Sequence, residues 1–369
     1  MMNVDWIEIA FIALIMVVAV QKFIVLMVFA IRFKEVPEIA EKSLPTVSIL
    51  IPARNEALAL PACLDSLLEL DYPLDKLEIL VGDDQSEDDT ATLVSSYQQQ
   101  HAHVHLHKIQ TDYHGLVARS NVLAQLAQKS KNQKLVFLDA DMVVDTKWLR
   151  GMVAPTADGY NVVSGYTEVM ANNWLSHFQK FDWMNVIMLL KAGADIYKPG
   201  TALGNNMLIS RKAYEAVGGY VKIGPTFTED NDLTLAATQK GYLLFQLAVP
   251  FGAKTLPMNS WADLCKQRNR WMQGAFRQPA LRLIPLLISR VFVLLATVAL
   301  VYDVQSAIGI IVLFSLMDVS ISRAMSRKVR GKVPLHIALI APVFNSVLDT
   351  FTLLSYPWNK QVVWKGRKL

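Results

Sequence analysis

The sequence is poor in cysteine. Cys63 and Cys265 are the only two among 369 residues, and they lie far apart with no metal-ligand spacing. The two cysteines therefore suggest neither a disulfide framework nor a zinc site, and a reducing, cytosolic setting fits. Charged residues are also scarce at 18%, whereas 53% of the residues are hydrophobic and the mean hydropathy is +0.28. This balance indicates membrane segments beside a globular part.

Basic residues are missing ahead of the first apolar stretch, which runs from about Trp6 to Ile31. A cleaved signal peptide would begin with positive charge, but only Asp5 is charged there. The stretch is long enough to cross a hydrocarbon core of about 30 Å. Arg32 and Lys34 follow it and favour a cytoplasmic location for the next domain. We therefore predict an uncleaved transmembrane anchor over residues 1–34.

The last third of the chain is apolar again. Leu281–Tyr302 and Ala307–Ile321 could form a membrane hairpin, and a basic loop over Arg323–Lys332 then favours the cytoplasmic side. The last segment, Leu335–Trp358, contains polar residues and a proline. The basic tail after it favours a cytoplasmic C-terminus, whereas a single crossing would place that terminus outside. Residues 280–369 are thus expected to be membrane-associated, with a re-entrant or interfacial last segment left open.

Residues 43–258 have the composition of a globular domain, with no internal repeat or low-complexity linker. The β-branched runs "TVSILIPA", "KLEILVGDD" and "KLVFLDAD" are typical of buried parallel strands. They alternate with helical patterns such as "LPACLDSLLEL" and "RSNVLAQLAQKS". This order predicts an α/β fold with a doubly wound, mostly parallel sheet. Ligands of such sheets bind at the carboxyl ends of the strands.

The run "HAHVHLHK" (His101–Lys108) contains four histidines at alternate positions. On a strand they would share one face, opposite an apolar face formed by Ala102, Val104 and Leu106. A solvated strand face explains this pattern, and a metal site would need additional convergent ligands.

Two acidic pairs fall at predicted strand ends. They are Asp83 with Asp84, and Asp139 with Asp141. Residues two apart on an extended strand point the same way, so Asp139 and Asp141 could both face one ion. Hard divalent cations prefer such oxygen ligands and bridge them to a diphosphate. An isolated D-x-D motif is more often a turn or a helix cap, so its interpretation depends on the rest of the sequence.

Two further motifs have both a structural and a chemical interpretation. Glu229 and Asp230 begin a predicted helix, where acidic residues are ordinary caps, but an adjacent acidic pair also suits general-base catalysis. Gln267, Arg270 and Trp271 lie within little more than one helical turn. Residues 259–279 are expected to form an amphipathic helix at the membrane interface.

Six motifs in this order resemble those of the inverting, family 2 glycosyltransferases with the GT-A fold. They are "SILIPARNEA", "LVGDDQSEDDT", "FLDADMVVD", "GNNMLISRKAYEAVGGY", "FTEDNDLTLAATQKGY" and "QRNRW". With its N-terminal anchor and C-terminal apolar segments, the chain is most similar to ceramide-glucosyltransferase-type and other lipid- or carotenoid-glycosylating members. The terminal "VVWKGRKL" also resembles a W-R-G-R tail found in some of them.

The resemblance implies a role for each matching residue. Asp230 matches the catalytic base and Glu229 its neighbour. Asp141, more than Asp139, matches the ligand of Mn²⁺ or Mg²⁺. The residues implied in binding the nucleotide sugar are Pro52, Ala53, Arg54, Glu56, Asp83, Asp84, Arg119, Asp139, Gly204, Asn205, Gln267, Arg270 and Trp271. Among these, the resemblance assigns Asp84 to uridine, Gly204 and Asn205 to the sugar pocket, and the last three to closure over the diphosphate and the acceptor.

One position departs from the family pattern. Related enzymes usually carry lysine in a G-x-x-x-K-x-N arrangement, whereas "GLVARSN" has Arg119 there. Arginine keeps the positive charge and adds a planar fork of donors, so donor binding is expected to survive with altered detail.

The implied activity is transfer of a sugar from a UDP-sugar to the hydroxyl of a membrane lipid, with inversion. The implied location is the inner membrane, with the catalytic domain in the cytoplasm and no nucleic acid as partner. A small processive polysaccharide synthase and a polyprenyl-phosphate sugar transferase are alternatives, although a polymer-conducting pore needs more spans than the three or four available. An inactive adaptor should have lost the base or the metal ligand, and neither is lost.

Overall fold

A computed structural model describes residues 6–196, 201–226, 228–247, 252–276, 303–328, 333–355, 363–364 and 367–368. The chain divides into two compact units, and both are built from separate stretches of sequence. The helical unit comprises Met1–Phe33, Val169–Ile196 and Pro257–Lys360. The α/β unit comprises Lys34–Glu168, Tyr197–Leu256 and Gln361–Leu369.

The α/β unit contains a seven-stranded sheet in the order β3-β2-β1-β4-β8-β6-β9. Its strands are β1 (Val47–Ala53), β2 (Leu77–Asp83), β3 (Val104–Lys108), β4 (Lys134–Leu138), β6 (Val162–Ser164), β8 (Asn206–Ser210) and β9 (Leu244–Gln246). The four strands β3, β2, β1 and β4 are parallel, and β8 is antiparallel to both of its neighbours. A mixed α/β fold with a mostly parallel sheet is thus confirmed.

Smaller elements complete the α/β unit. A second sheet has the order β5-β10-β7, formed by Val143–Val144, Ala253–Thr255 and Thr167–Val169, and β11 (Val363–Trp364) pairs with β12 (Arg367–Lys368). The helices are α2 (Leu60–Leu68), α3 (Thr90–Gln100), α4 (Ala118–Lys129), α5 (Trp148–Val153), α7 (Arg211–Ala216), α8 (Gly219–Ile223) and α9 (Glu229–Gln239). Three 3-10 turns cover Glu41–Ser43, Leu74–Lys76 and Ala154–Asp158.

Strand β1 shows why the apolar runs become central strands. All seven of its residues are buried. Ile49 and Ile51 belong to the hydrophobic cluster that includes Leu64 of α2, while Leu50 belongs to the cluster that includes Leu123 of α4. Because side chains alternate along a strand, a strand covered on both faces reads as one continuous apolar run.

The histidine run is only partly a strand. Strand β3 begins at Val104, so His105 and His107 lie in it, whereas His101 and His103 precede it. The prediction that all four histidines share one strand face was therefore wrong. The reason is that α3 continues to Gln100, and the His101 N–H still donates to the Tyr97 carbonyl as a helix cap.

The helical unit contains α1 (Trp6–Ile31), α6 (Trp174–Ile196), α10 (Trp261–Phe276), α11 (Val304–Lys328) and α12 (Leu335–Ser355). Three stretches of the described helices are long and apolar enough to cross a membrane, namely Ile12–Ile31, Val304–Ala324 and Leu335–Thr352. The predicted span Leu281–Tyr302 lies outside the described residues.

Three details of the helical unit differ from what the sequence predicted. Helix α11 continues to Lys328, so Arg323, Arg327 and Lys328 belong to its last turns rather than to a loop. Helix α12 runs through Pro342 without interruption. Helix α6, which falls inside the predicted range 43–258, packs within the helical unit, since Phe178 and Phe181 share a hydrophobic cluster with residues of α11 and α12.

Candidate active site

Three neighbouring parallel strands end together at one edge of the main sheet. Strands β2, β1 and β4 are adjacent in that order, and each ends immediately before or at a polar residue. Arg54 follows β1, Asp84 follows β2 and Asp139 follows β4. The carboxyl edge of a parallel sheet is where such folds bind ligands, so this edge is the candidate site.

The β1 and β2 ends are tied together by Arg54. Pro52 and Ala53 pair in register with Gly82 and Asp83. The Arg54 side chain is buried, and its Nη1 donates to the carbonyl oxygens of Asp84 at 2.7 Å and of Gln85 at 3.3 Å. These bonds fix the two loops against each other.

Both aspartates at the end of β2 are buried, with exposures of 5% for Asp83 and 1% for Asp84. Asp83 Oδ1 accepts a hydrogen bond from the Ser86 N–H at 3.3 Å. The following loop is anchored by the Glu56 N–H, which donates to Thr90 Oγ1 at 2.9 Å. The structure thus brings the predicted nucleotide-binding residues from Pro52 to Asp84 into one wall.

The carboxylates of the D-x-D motif lie in the turn after β4. The Asp139 N–H donates to the Asn205 carbonyl at 3.3 Å, so this turn is held against the entry to β8. Thr255, on strand β10, donates to Asp141 Oδ2 at 3.2 Å. Burial, together with the negative charges of Asp139 and Glu56, raises the pKa of Asp141 to about 6. A cation at this position would relieve that repulsion.

Arg119, in the first turn of α4, connects the two acidic motifs. Its guanidinium forms an ion pair with Glu229 through Nη1, and its Nη2 lies 2.9 Å from Asp139 Oδ1. The same Nη2 donates to the Gly204 carbonyl at 2.8 Å. Burial alone would lower the pKa of Arg119, but Asp139 and Glu229 raise it above its usual range, so the side chain stays charged. Its predicted contact with the donor stays a prediction.

Asp230 lies at the start of α9, and two backbone N–H groups hold its carboxylate. Its Oδ2 accepts from the Gly204 N–H at 2.7 Å, and its Oδ1 accepts from the Asn231 N–H at 2.8 Å. Burial and the negative charge of Glu229 together raise the pKa of Asp230 to about 6, against the opposing effects of Arg119 and of the two backbone hydrogen bonds. A carboxyl group with this pKa is mostly ionised at pH 7 and can still accept a proton, as a general base must.

Gly204 provides the space that Asp230 occupies. A Cβ atom at position 204 would lie 2.6 Å from Asp230 Oδ2 and 2.7 Å from Asp230 Cβ. Real Cβ atoms essentially never come so close to another heavy atom. A glycine is therefore required for the backbone to approach the carboxylate. This role could not be read from the motif alone.

The carboxylates after β4 are suitable ligands for a divalent cation. Mg²⁺ and similar ions are commonly held by one or two carboxylates together with substrate phosphates. Asp139 and Asp141 offer such a pair, and Asp141 is the one whose carboxylate is not engaged by Arg119. Within the described part of the chain, no group of three or more histidine, cysteine or acidic residues is arranged as a complete metal site.

The remaining predicted residues lie in the helical unit, on α10. Trp271 packs against Trp183 of α6 with ring centroids 5.2 Å apart. Arg268, which the sequence did not single out, lies 4.8 Å above the Trp271 ring and pairs with the buried Asp182. Gln267 and Arg270 are partly exposed, and their side chains make no hydrogen bond or ion pair with the residues that the structure describes.

The known proteins that this chain resembles include several glycosyltransferases. The sequence model described as glycosyl transferase family 21 matches residues 10–369. A probable glycosyltransferase of Bacillus subtilis, YdaM, is 26% identical over 240 residues, which cover 63% of this chain and 56% of the relative. A beta-monoglucosyldiacylglycerol synthase of Synechocystis is 25% identical over 242 residues, covering 63% of this chain and 48% of the relative. The chain spans about half the length of these curated relatives.

A solved structure shares the fold over nearly the whole length. It is the mannosyltransferase PcManGT from Pyrobaculum calidifontis, in complex with GDP-Man and Mn²⁺. The TM-score is 0.62 at 17% identity, with 95% of this chain and 98% of the other covered. The predicted GT-A fold is thus confirmed.

Proposed function

The chain belongs to glycosyl transferase family 21, and from that premise we propose that it transfers a sugar from a UDP-sugar to the hydroxyl of a membrane lipid, with inversion. Membership confirms the resemblance to glycosyltransferases, with family 21 where the motifs suggested family 2. The observation that carries the proposal is the position of Asp230, held by the Gly204 N–H beside the Arg119 bridge to Asp139.

In the proposed reaction Asp230 is the general base. The acceptor hydroxyl attacks the anomeric carbon while Asp230 takes its proton, the bond from that carbon to the diphosphate breaks, and UDP leaves. A single displacement inverts the configuration and needs no covalent intermediate. General-base catalysis of this kind contributes a factor of about 10²–10⁴ to the rate. Glu229 acts through Asp230, by keeping its pKa high, and through Arg119.

The donor would bind along the carboxyl edge of the sheet. We assign Pro52, Ala53, Arg54 and Glu56 to the nucleotide loop, with Asp83 and Asp84 at the uridine. Gly204 and Asn205 would line the sugar pocket. Asp141, with Asp139, would hold Mn²⁺ or Mg²⁺, which when bound neutralises charge on the departing diphosphate. The Mn²⁺ and GDP-Man bound to PcManGT support a metal and a nucleotide sugar as ligands of this fold.

The acceptor is assigned to membrane lipids on two grounds. The Synechocystis relative is named for a glycolipid product, and three described helices here could cross a membrane. Helix α10 carries Trp261, Arg270 and Trp271, the residue types that anchor at the headgroup level. We propose that Gln267, Arg270 and Trp271 close over the diphosphate and the acceptor at the headgroup level. We also propose that the α/β unit lies on the cytoplasmic side of the inner membrane.

The test is nucleoside diphosphate release by the purified full chain in detergent with Mn²⁺. A panel of UDP-sugars, with GDP-mannose beside them, would be assayed with and without lipid extract. We expect lipid-dependent release from one UDP-sugar, and a loss of about 10²-fold or more in Asp230→Asn. Asp158→Asn is the matched control, because Asp158 is exposed and lies outside the site.

Other outcomes would point to other functions. Release from GDP-mannose alone would overturn the UDP donor. Nucleoside diphosphate release without lipid, together with formation of a long glycan, would favour a polysaccharide synthase. Release that requires a polyprenyl phosphate would favour a polyprenyl-phosphate sugar transferase. Binding of UDP with no release under any condition would contradict an enzymatic function.

A further inference from the structure

A polar cavity lies inside the helical unit, among α1, α6, α11 and α12. Its volume is about 70 Å³. Its walls are partly apolar, formed by side chains such as Phe181 and Ile321. Its polar lining includes Lys22, Asp182, Asn185, Asp318, Asn345 and Ser346. None of these belongs to the candidate active site.

Two of the lining residues form an ion pair inside predicted membrane spans. Lys22 pairs with Asp318, and the two side chains are only 8% and 9% exposed. Lys22 is about 14 Å along the helix from either end of the span Ile12–Ile31, at a rise of 1.5 Å per residue. An ionisable group at such depth is costly to insert into a bilayer, and such residues commonly mark a functional site.

Two amides in the cavity wall have unused hydrogen-bonding capacity. Asn185 Oδ1 is buried and accepts no hydrogen bond from the described residues. Asn345, in the middle of α12, is 7% exposed, and its side chain likewise makes no hydrogen bond within the described part of the chain. Ser346 donates to the Pro342 carbonyl at 2.9 Å, which leaves its oxygen able to accept. Buried polar groups without partners are rare and need an explanation.

Each charged side chain in the walls has a partner of opposite charge. Lys22 is matched by Asp318, and Asp182 is matched by Arg268 of α10. An anionic headgroup would therefore meet two carboxylates and a lysine that is already paired, which is unfavourable. A neutral hydroxyl group can donate to a carboxylate or an amide oxygen and accept from an amide N–H. The polar lining fits hydroxyl groups rather than phosphate.

The size and the apolar walls select a small headgroup attached to hydrocarbon. A cavity needs roughly 10–15 Å³ to hold one water molecule, so a cavity of about 70 Å³ has room for several polar atoms. We propose that this cavity binds the hydroxyl-bearing headgroup of a neutral membrane lipid such as a diacylglycerol. The inference rests on the proposed function for its ligand class, since a lipid with a free hydroxyl is the acceptor proposed above.

The test is photo-crosslinking of the full chain in phosphatidylcholine nanodiscs, without any sugar donor. The probes are a photoreactive diacylglycerol and a photoreactive phosphatidic acid with the same acyl chains. We expect saturable labelling of α6 and α12 peptides by the diacylglycerol only. Asn345→Leu and Asn185→Leu should each weaken labelling about tenfold, the order expected for one or two buried hydrogen bonds.

Thr350→Val is the matched control, because Thr350 is an exposed residue of the same helix. It should label like the unmodified chain. Labelling that is equal for both probes, or equal in folded Asn345→Leu and the unmodified chain, would overturn the proposal. Mapping of the labelled peptides in the unmodified chain decides the question even if the variants do not fold.

The same variants separate this proposal from the proposed function. Asn345→Leu should raise the KM for the lipid while UDP binding is unchanged. Variant-sensitive labelling of a chain that transfers no sugar would overturn the proposed function alone. Sugar transfer to lipid with an unchanged KM and unchanged labelling in Asn345→Leu would overturn the cavity site alone.

Discussion

Arg119 shows how one side chain links two motifs that are distant in sequence. It is 110 positions from Glu229 and 20 from Asp139, yet its guanidinium contacts both carboxylates. It also donates to the Gly204 carbonyl. A planar fork with five N–H groups can serve three partners in fixed directions, whereas the lysine of related enzymes is a flexible point charge. The arginine therefore adds rigidity as well as charge to the acidic cluster formed by Asp139, Glu229 and Asp230.

Gly204→Ala should impair catalysis by moving the base. The new methyl group would collide with Asp230, including its Cβ, so the carboxylate has to shift rather than rotate away. A displacement of about 1 Å in an active site can cost roughly 10²-fold in rate. Steady-state kinetics should show a large fall in kcat, with UDP binding unchanged because the residues assigned to the nucleotide lie at the carboxyl ends of β1 and β2. A kcat equal to that of the unmodified enzyme would contradict this role of Gly204.

The pKa of Asp230 predicts the pH profile. A base must be ionised to act, so kcat should rise with pH and level off above the pKa of about 6. Below that pKa, a plot of log kcat against pH should approach a slope of one. The pKa of Asp141 is also raised to about 6, but a bound cation favours its carboxylate form. The profile should therefore be measured at saturating Mn²⁺. A kcat that is flat from pH 5 to pH 8 would exclude Asp230 as the base.

At the scale of elements, α6 and α10 are joined by a charged and aromatic contact. Arg268 pairs with Asp182, and the two side chains are 11% and 2% exposed. The guanidinium also lies over Trp271, which packs on Trp183. Trp271 thus has a structural contact within the helical unit in addition to its proposed role in closure. Substitutions of Trp271 would change both.

Asp182→Asn should destabilise the helical unit because it leaves the Arg268 charge uncompensated. Removing one partner of a buried pair costs about 3 kcal/mol, while removing both costs less. Thermal unfolding in detergent should show a lower Tm for Asp182→Asn and partial recovery in Asp182→Asn/Arg268→Gln. Lys266→Gln is the control, since Lys266 is 78% exposed in its pair with Asp263 and should change little. Equal Tm values for the single and double variants would show that the pair is not coupled.

At the scale of the whole molecule, stability should respond to the donor product. Ligand that binds only the folded protein stabilises it by about 2.7 kcal/mol at 100 times its Kd. UDP with Mn²⁺ should therefore raise the Tm of the full chain by several degrees, and EDTA should remove most of the rise. Asp141→Asn should lose the Mn²⁺-dependent part, whereas Asp158→Asn should keep it. A rise that is independent of Mn²⁺ would contradict the metal assignment.

Local sequence patterns were sufficient to predict the central strands, the long apolar helices and the polar residues at the strand ends. Strands β1, β2 and β4 were predictable because a strand covered on both faces needs a continuous apolar run. The apolar stretches of α1, α11 and α12, which are long enough to cross a membrane, were recognisable from length and hydropathy, which depend on no tertiary contact. The carboxyl edge of the sheet then located Asp84 and Asp139 by topology alone.

Which side chains come into contact depends on the tertiary packing. The contacts of Arg119 with Glu229, of Gly204 with Asp230 and of Lys22 with Asp318 join residues 110, 26 and 296 positions apart. Local periodicity carries no information about such pairs, because they depend on how whole elements pack. For the same reason, the sequence did not predict that α6 packs in the helical unit. Its composition is mixed and is compatible with either unit. Packing, rather than propensity, therefore defined the acidic cluster and the polar cavity.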